Sequence, residues 1–164
     1  MNIYCTGKLA KILDLPTNLD LQPSKHHWIA NAFKTENIDW ILFLDVATLY
    51  CVLIKLDDKT ERKIQEDFFN SFKSQLMSDS IWQDEFCLGI KTATNSFYMY
   101  KGYEKSAQAI SNNIISKLKR VFDNSKNIES MKRFAKKNIN EIPWKLINFH
   151  NAKELMMLEI QNYR

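Results

Sequence analysis

Two strongly apolar segments that follow each other closely constrain the fold of this chain more than any other feature. They span residues 40–44 and 46–56, and Asp45 separates them. Ile, Leu, Val, Phe and Tyr dominate both segments, which is typical of buried β-strands. Asp45, Thr48 and Lys55 interrupt the run, whereas a membrane-spanning helix needs about 20 predominantly apolar residues. The segments are therefore predicted to form two neighbouring strands, in a protein without a membrane partner.

Strand patterns come first along the chain, and helix patterns follow. Strands are predicted for residues 2–5, 27–33, 40–44, 48–56 and 86–90. Helices are predicted for residues 8–13, 60–78, 103–121, 128–139 and 152–163, from apolar residues spaced three and four apart. Because short joins connect the strands between residues 27 and 56, we expect an antiparallel meander there. The predicted fold class is α+β: an antiparallel sheet of about four to five strands, with helices packed against it and a helical C-terminal half.

The chain has the length of one domain. Its 164 residues include only 3 Gly and 3 Pro, so long disordered stretches are not expected. No composition shift marks a boundary, and we predict a single domain over residues 1–164. It is rich in sheet over residues 1–56 and 86–91, and helical over 60–78 and 103–163. The first five residues lack the basic flank and apolar stretch of a secretory signal, which predicts a cytoplasmic protein.

The sequence indicates neither a metal nor a cofactor. Cys5, Cys51 and Cys87 stand far apart and form no Cys-x-x-Cys pair, so each is predicted to be a small buried side chain on a strand. No His, Cys, Asp or Glu residues stand at the spacing of a metal site. With 3 glycines, the chain also has no P-loop, dinucleotide-binding or Gly-x-Ser-x-Gly pattern.

A small enzyme without a cofactor is one class of function that the residues leave open. Its candidate catalytic residues are Cys5, His26 and Asp45, with His26 as a base toward Cys5 if the sheet brings them together. Each also has a simpler interpretation: Cys5 as a core residue, His26 as a solvated loop residue and Asp45 as the start of a turn. The criterion is whether the three side chains converge within hydrogen-bond reach in one pocket.

Positive charge is concentrated in residues 117–137, called here the basic segment. Its eight basic residues are opposed by Asp123 and Glu129 alone, a net charge of +6; because the whole chain carries +4, the remainder carries −2. This asymmetry predicts a basic helical face and an anionic partner. The candidate binding residues are Lys117, Lys119, Arg120, Lys132, Arg133, Lys136 and Lys137.

An acidic protein surface and a nucleic-acid backbone both fit the basic segment. Phe122, Phe134 and Trp144 interleave with its cations, as exposed rings do in proteins that bind nucleic acid without sequence preference. The simpler interpretation is an ordinary helix pair with solvated lysines, because Phe122 and Phe134 fall on the apolar spacing. No helix-turn-helix, zinc-finger or RNP-type pattern occurs, so nucleic acid would be contacted non-specifically through its phosphates.

A polar and aromatic segment, residues 92–102, precedes the long helix and is predicted to be a loop. Thr94 and Asn95 can present donors to an anion at the start of the helix, or can cap that helix. Tyr98 and Tyr100 suit a partner-facing surface because tyrosine is enriched at interfaces. These four residues complete the set of candidate binding residues.

Four short stretches share the pattern of a known family. Residues 1–13 read M-N-I-Y-C-T-G-K-L-A-K-I-L, and residues 28–33 read W-I-A-N-A-F. Residues 48–50 read T-L-Y, and residues 91–95 read K-T-A-T-N. In this order they are similar to the M-x-x-x-C-T-K-K-L-x-x-x-L, W-x-A-N-x-F, T-L-Y and K-T-x-N stretches of a bacterial family, domain of unknown function 6933. The resemblance extends to about Ala109.

This resemblance implies a compact α+β domain found in bacteria and on mobile elements, and it implies no activity. Gly7, Asp45 and Ser96 depart from the Lys, Asn and Arg that the family prefers, and a Gly-Ser-Met stretch after Ser96 is missing. If the loop that contains this Arg binds an anion in relatives, the same site is not expected here.

The basic segment and the resemblance together predict a non-enzymatic binding module. It would engage an acidic protein surface or a nucleic-acid backbone, as a regulator or an inhibitor of a host system in bacteria, on a phage or on a plasmid. The enzyme described above is one alternative. A structural or oligomerisation domain is another, and a large apolar patch around residues 98–103 or 155–160, buried in a symmetric dimer, would favour it.

Overall fold

The computed structural model describes residues 2–15, 27–57, 60–86, 88–89, 99–101 and 105–163. Its strands are β1 (Asn2–Cys5), β2 (His27–Thr35), β3 (Ile38–Asp45), β4 (Cys51–Lys55) and β5 (Met99–Lys101). Its helices are α1 (Gly7–Ile12), α2 (Glu61–Ser78), α3 (Lys105–Ser125), α4 (Ile128–Ala135) and α5 (Ala152–Gln161). A π-helical turn (Lys136–Asn140) follows α4, and a 3-10 turn (Lys145–Ile147) precedes α5. The fold is α+β with a helical C-terminal half, as predicted.

The sheet is mixed, with the strand order β4-β3-β2-β1-β5. Strands β2, β3 and β4 form the predicted antiparallel meander, and a two-residue turn at Glu36 and Asn37 joins the first two. Strand β1, however, runs parallel to both β2 and β5, so the prediction of a purely antiparallel sheet is wrong at this end. The chain passes through α1 between β1 and β2, and a crossover of this length permits parallel pairing where a tight hairpin does not.

Two predictions between α2 and α3 are also wrong. Residues 86–90 were expected to form a strand, but residues 84–86 and 88–89 are helical. Phe86 is buried there, with its ring centroid 6.4 Å from that of Phe72 and 5.3 Å from that of Tyr163. A short apolar run does not distinguish a strand from a buried helical turn. Residues 99–101, expected within a loop, form β5 because their backbone pairs with β1.

Helices cover both faces of the sheet. Trp28 of β2 contacts the rings of Phe68 and Phe72 in α2, at centroid distances of 5.1 and 5.3 Å. Asn31 of the same strand donates to Ser111 in α3 instead. Because residues an odd number apart in a strand point to opposite faces, α2 and α3 lie on opposite sides of the sheet. The domain therefore has three layers, with α4 packed beside α3 and against β4.

The apolar stripe of α2 carries much of the core. Ile64, Phe68, Phe72 and Leu76 recur every four residues, and all four are buried, as the spacing predicts. Burial of such a side chain contributes about 1.5–3 kcal/mol to the stability of the fold. Thr60 occupies the N-cap position from which the helix was predicted to start.

Candidate interaction surface

The basic segment lies on the C-terminal half of α3, on α4 and on the π-helical turn. Its apolar residues face inward: Phe122 is buried, and Phe134 is partly buried against the core. The two phenylalanines therefore hold the helix pair to the sheet, as their spacing predicts, and neither is an exposed ring for stacking on bases. The cations project from the remaining sides of the helices.

Three lysines of the basic segment are already neutralised by carboxylates. Lys126 lies 2.5 Å from Glu36 at the β2–β3 turn. Lys132 lies 3.3 Å from Glu129, one turn earlier on the same helix. Lys136 lies 2.9 Å from Asp79, whose side chain is almost fully buried. These pairs lower the positive potential that the count of basic residues alone predicts.

The ion pair of Lys136 belongs to a buried network that supports the fold. Tyr50 donates its hydroxyl hydrogen to the second carboxylate oxygen of Asp79, at 2.6 Å. Lys136 also donates to the carbonyl and hydroxyl oxygens of Ser78. Burial raises the pKa of Tyr50, and the hydrogen bond to Asp79 raises it further. The network joins the start of β4, the end of α2 and the π-helical turn, so Lys136 is not available to a partner.

Five cations of the basic segment remain, and four of them are called here the open cations: Lys119, Arg120, Arg133 and Lys137. All four are exposed and make no ion pair with any residue that the structure describes. Arg133 and Lys137 stand four residues apart and so follow each other along one side of α4 and its π-helical extension. On α3, residues two apart do not face each other, which places Lys119 and Lys117 on different sides. The predicted binding residues are thus divided between two sides of α3.

Lys117 is held beside the ring of Trp144. Its ammonium nitrogen lies 5.4 Å from the ring centroid, a cation–π distance. The indole Nε1 of Trp144 donates to the carbonyl oxygen of Ile139 at 3.0 Å. Trp144 therefore links α3 to the π-helical turn, and it fixes the start of the segment that follows.

That segment, residues 142–150, is a closed loop that we call the knuckle. The amide of Trp144 donates to the carbonyl of His150 at 3.0 Å, and the amide of Phe149 donates to the carbonyl of Trp144 at 3.0 Å. An isolated bridge between Pro143 and Asn151 closes its base. A capping box between Asn151 and Glu154 then starts α5. The backbone of the knuckle is thus held by its own hydrogen bonds at both ends.

The knuckle presents apolar side chains to solvent. Leu146 is 67% exposed, Phe149 is 69% exposed and Ile142 is 44% exposed. Asn148 and Phe149 both adopt left-handed backbone conformations, with φ of 54° and 63°. That conformation is unusual for a bulky residue such as Phe and costs about 1–3 kcal/mol. Strain of this kind persists where the surrounding hydrogen bonds determine the backbone.

The knuckle lies between the helices predicted for residues 128–139 and 152–163, and it contains none of the predicted binding residues. Trp144 was considered only as a ring that interleaves with the cations of the basic segment. The available signal was the presence of Leu146 and Phe149 in a stretch without helical or strand periodicity. Apolar residues that fit neither a helical nor a strand pattern are candidates for exposure. Only the structure shows that Leu146 and Phe149 are exposed, on a closed backbone.

The two candidate catalytic residues that the structure describes, Cys5 and Asp45, do not converge. Cys5 ends β1 and Asp45 ends β3, two strands and two register positions apart, so their Cα atoms are separated by about 12 Å. Asp45 instead accepts hydrogen bonds from the amide and the hydroxyl of Thr48, at 2.9 and 2.7 Å, and so forms the turn before β4. Burial raises the pKa of the Cys5 thiol to about 12, which opposes the nucleophilic thiolate form. His26 lies outside the described residues.

Two of the family-like stretches meet in a buried polar network. Thr6, from the first stretch, donates to the side-chain oxygen of Asn31, from the second, at 3.1 Å. The amide nitrogen of Asn31 then donates to Ser111 at 3.1 Å and to Asn112 at 2.9 Å. This network ties the end of β1 to β2 and α3. The shared residues Thr6 and Asn31 therefore have a structural role in this chain.

Of the remaining candidate binding residues, the structure describes Tyr100 alone. Thr94, Asn95 and Tyr98 lie outside the described residues, and Tyr100 lies in β5, where its backbone pairs with Tyr4. Within the described ranges, no group of three His, Cys, Asp or Glu side chains is arranged to hold a metal ion. In the same part of the chain, no helix is both long enough and apolar enough to cross a membrane.

A family model matches the chain over most of its length. The fold is a compact α+β domain, and the family model described as Domain of unknown function (DUF6933) matches residues 2–155. This match covers most of the chain and includes the basic segment and the knuckle. The protein therefore belongs to the DUF6933 family. A search of the curated proteins found no match.

Proposed function

We propose that this protein is a non-enzymatic binding module that engages an anionic partner through its basic surface. The cations proposed to contact the partner are the four open cations together with Lys117 and with Lys145 in the knuckle, and they include both sides of α3. The observation that carries the proposal is that the open cations are exposed and unpaired among the described residues, whereas three other lysines of the basic segment are neutralised. Unpaired surface cations steer an anionic partner toward its site.

The partner is an acidic protein surface or a nucleic-acid backbone contacted through its phosphates. The resemblance of the chain to a bacterial and mobile-element family supports a role in the cytoplasm as a regulator or an inhibitor of a host system. Neither role requires a catalytic group, and the separation of Cys5 from Asp45 is consistent with a module that binds without catalysis.

Reversal of the open cations tests this proposal. The variant K119E/R120E/R133E/K137E changes exposed residues that make no ion pair with described residues, so it should fold normally. The matched control K11E/K34E/R62E/K105E makes the same change in net charge at other exposed positions. Each protein is titrated against a labelled poly-glutamate peptide and against labelled single- and double-stranded DNA, across a salt series.

The wild type should bind at least one of these polyanions with an affinity that falls as salt rises. The open-cation variant should lose at least about tenfold in affinity, because each removed charge contact contributes about 0.2–1 kcal/mol. The control should lose much less. Equal losses in the two variants would show that net charge alone governs binding, and they would exclude a localised basic site.

A further inference from the structure

We infer that the knuckle is a docking surface for an acidic protein, with Leu146 and Phe149 as its apolar anchors. This inference rests on the proposed function and deepens it, since it selects a protein over nucleic acid as the partner. It starts from three observations. The knuckle exposes apolar side chains, its backbone is closed by hydrogen bonds, and cations lie beside it.

The knuckle exposes three apolar side chains. Leu146 and Phe149 are each about two-thirds exposed, and Ile142 is nearly half exposed, within nine residues whose ends are bonded together. Exposed apolar patches that are rimmed by polar residues mark sites of protein contact. Two of these three side chains are aliphatic, and aliphatic groups do not provide the flat faces on which successive bases stack.

The backbone that carries these side chains is ordered by its own hydrogen bonds. Backbone hydrogen bonds from Trp144 to His150 and from Phe149 to Trp144 close the knuckle. The ring of Trp144 contacts Lys117 and donates a hydrogen bond to the carbonyl of Ile139. A surface that is already ordered loses little conformational entropy when a partner binds. The left-handed backbone at Phe149 places a bulky ring at a position that Gly or Asn would occupy at lower energy. The fold thus keeps an apolar side chain where conformational energy alone disfavours it.

Positive charge also adjoins the knuckle. Lys145 is part of it, and the contact of Lys117 with Trp144 joins it to the basic segment, whose net charge is +6. The acidic residues next to it in the sequence are Glu141 and Glu154, and Glu154 caps α5 through Asn151. Apolar side chains that adjoin a basic segment are complementary to an apolar pocket with acidic groups at its edge.

The same charges argue against a second copy of this chain as the occupant. A two-fold symmetric dimer brings one surface patch against the same patch of its partner. Such a dimer through the knuckle would bring the basic segments of the two copies, each with a net charge of +6, toward each other. Like charges in one interface oppose association, which leaves an acidic protein as the occupant with complementary charge.

The test compares two labelled peptides of equal length and equal negative charge. One is poly-glutamate with serine spacers, and the other replaces the serines with leucine and tryptophan at positions one helical turn apart. We expect the second peptide to bind the wild type at least about fivefold more tightly, through the apolar anchors. The variant L146S/F149N should lose this margin and keep its affinity for the first peptide. Asn tolerates the left-handed backbone, so the variant should fold.

A matched control, M77S/L158S, removes two other exposed apolar side chains and should retain the margin. If the two peptides bind the wild type equally, or if L146S/F149N keeps the margin, the inference fails while the proposed function stands. If no polyanion binds, the proposed function fails and the inference fails with it. If L146S/F149N weakens binding to duplex DNA instead, the surface is a nucleic-acid site. If sedimentation shows a wild-type dimer that this variant dissociates, the surface joins two copies of the chain.

Discussion

At the scale of single residues, Asp45, a candidate catalytic residue, and Asn31, a residue of the family pattern, both hydrogen-bond to neighbouring groups of the fold. Asp45 holds the turn before β4 through Thr48, and Asn31 joins Thr6 to α3. A buried polar group costs free energy unless it is hydrogen-bonded, so each of these residues contributes to the fold by satisfying its neighbours. Residue type alone does not distinguish this role from catalysis, because the same atoms serve both.

Two buried thiols among the described residues should make the free energy of unfolding depend on pH in the alkaline range. Burial raises the pKa of Cys5 and of Cys51 from 9.0 to about 12, and nearby carboxylates act in the same direction. Below pH 9 the thiols are neutral in both states and the full stability is present. Between pH 9 and 12 only the unfolded thiols ionise, so the free energy of unfolding should fall by about 1.4 kcal/mol per pH unit for each thiol. Urea unfolding at pH 8, 9.5 and 10.5 measures this fall.

The double variant C5A/C51A is the matched comparison, because it removes both thiols and leaves every other titrating group in place. Its stability should decline less steeply above pH 9 than that of the wild type. Parallel declines in the two proteins would mean that the thiols do not contribute to the alkaline loss of stability.

At the scale of elements, the π-helical turn covers the start of one edge of the sheet. Asn140 is buried at the end of this turn, and its side chain bonds to both backbone groups of Cys51. It accepts from the amide at 2.9 Å and donates to the carbonyl at 3.1 Å. A single amide side chain thus supplies the bonds that a further strand would make to the first residue of β4. Exposed strand edges promote aggregation, and the turn covers this part of the edge.

Substitution of Asn140 by Ala should therefore destabilise the fold by about 2–3 kcal/mol, because the buried amide of Cys51 loses its partner. The Cys51 carbonyl keeps a second bond, from Gln75 at 2.9 Å. The control N138A changes an exposed residue of the same turn and should alter stability by less than about 0.5 kcal/mol. Chemical unfolding of the three proteins gives the comparison, and similar midpoints for N140A and the wild type would contradict this role.

At the scale of the whole molecule, one continuous core joins the sheet to the helices on both faces. Trp28 and Phe68 belong to the same buried cluster as Leu118 of α3 and Met131 of α4. We therefore expect the predicted single domain to unfold in one cooperative transition. Tryptophan fluorescence and far-UV circular dichroism, recorded along one urea series, should give the same midpoint. Two separated midpoints would show that the helical C-terminal half unfolds on its own.

Local sequence pattern was sufficient to predict the helices and strands that bury one face or are buried throughout. The four-residue spacing of α2 and the apolar runs of β3 and β4 identified those elements, because periodicity reports which face of an element is buried. The apolar spacing of α3 likewise correctly assigned Phe122 to the core. The basic segment was likewise recognised from charge alone, since net charge is a property of composition.

Tertiary structure decided which partner covers each face and which charges remain unpaired. The parallel pairing of β1 and β5 depends on a crossover, and the neutralisation of Lys136 depends on Asp79, 57 residues earlier in the chain. The display of Phe149 depends on hydrogen bonds that close the knuckle. These features join residues from different elements, and local periodicity carries no information about such contacts. The sequence by itself therefore determined the elements and the charge of the basic segment, and only the folded chain decided which of its charged and apolar side chains are exposed.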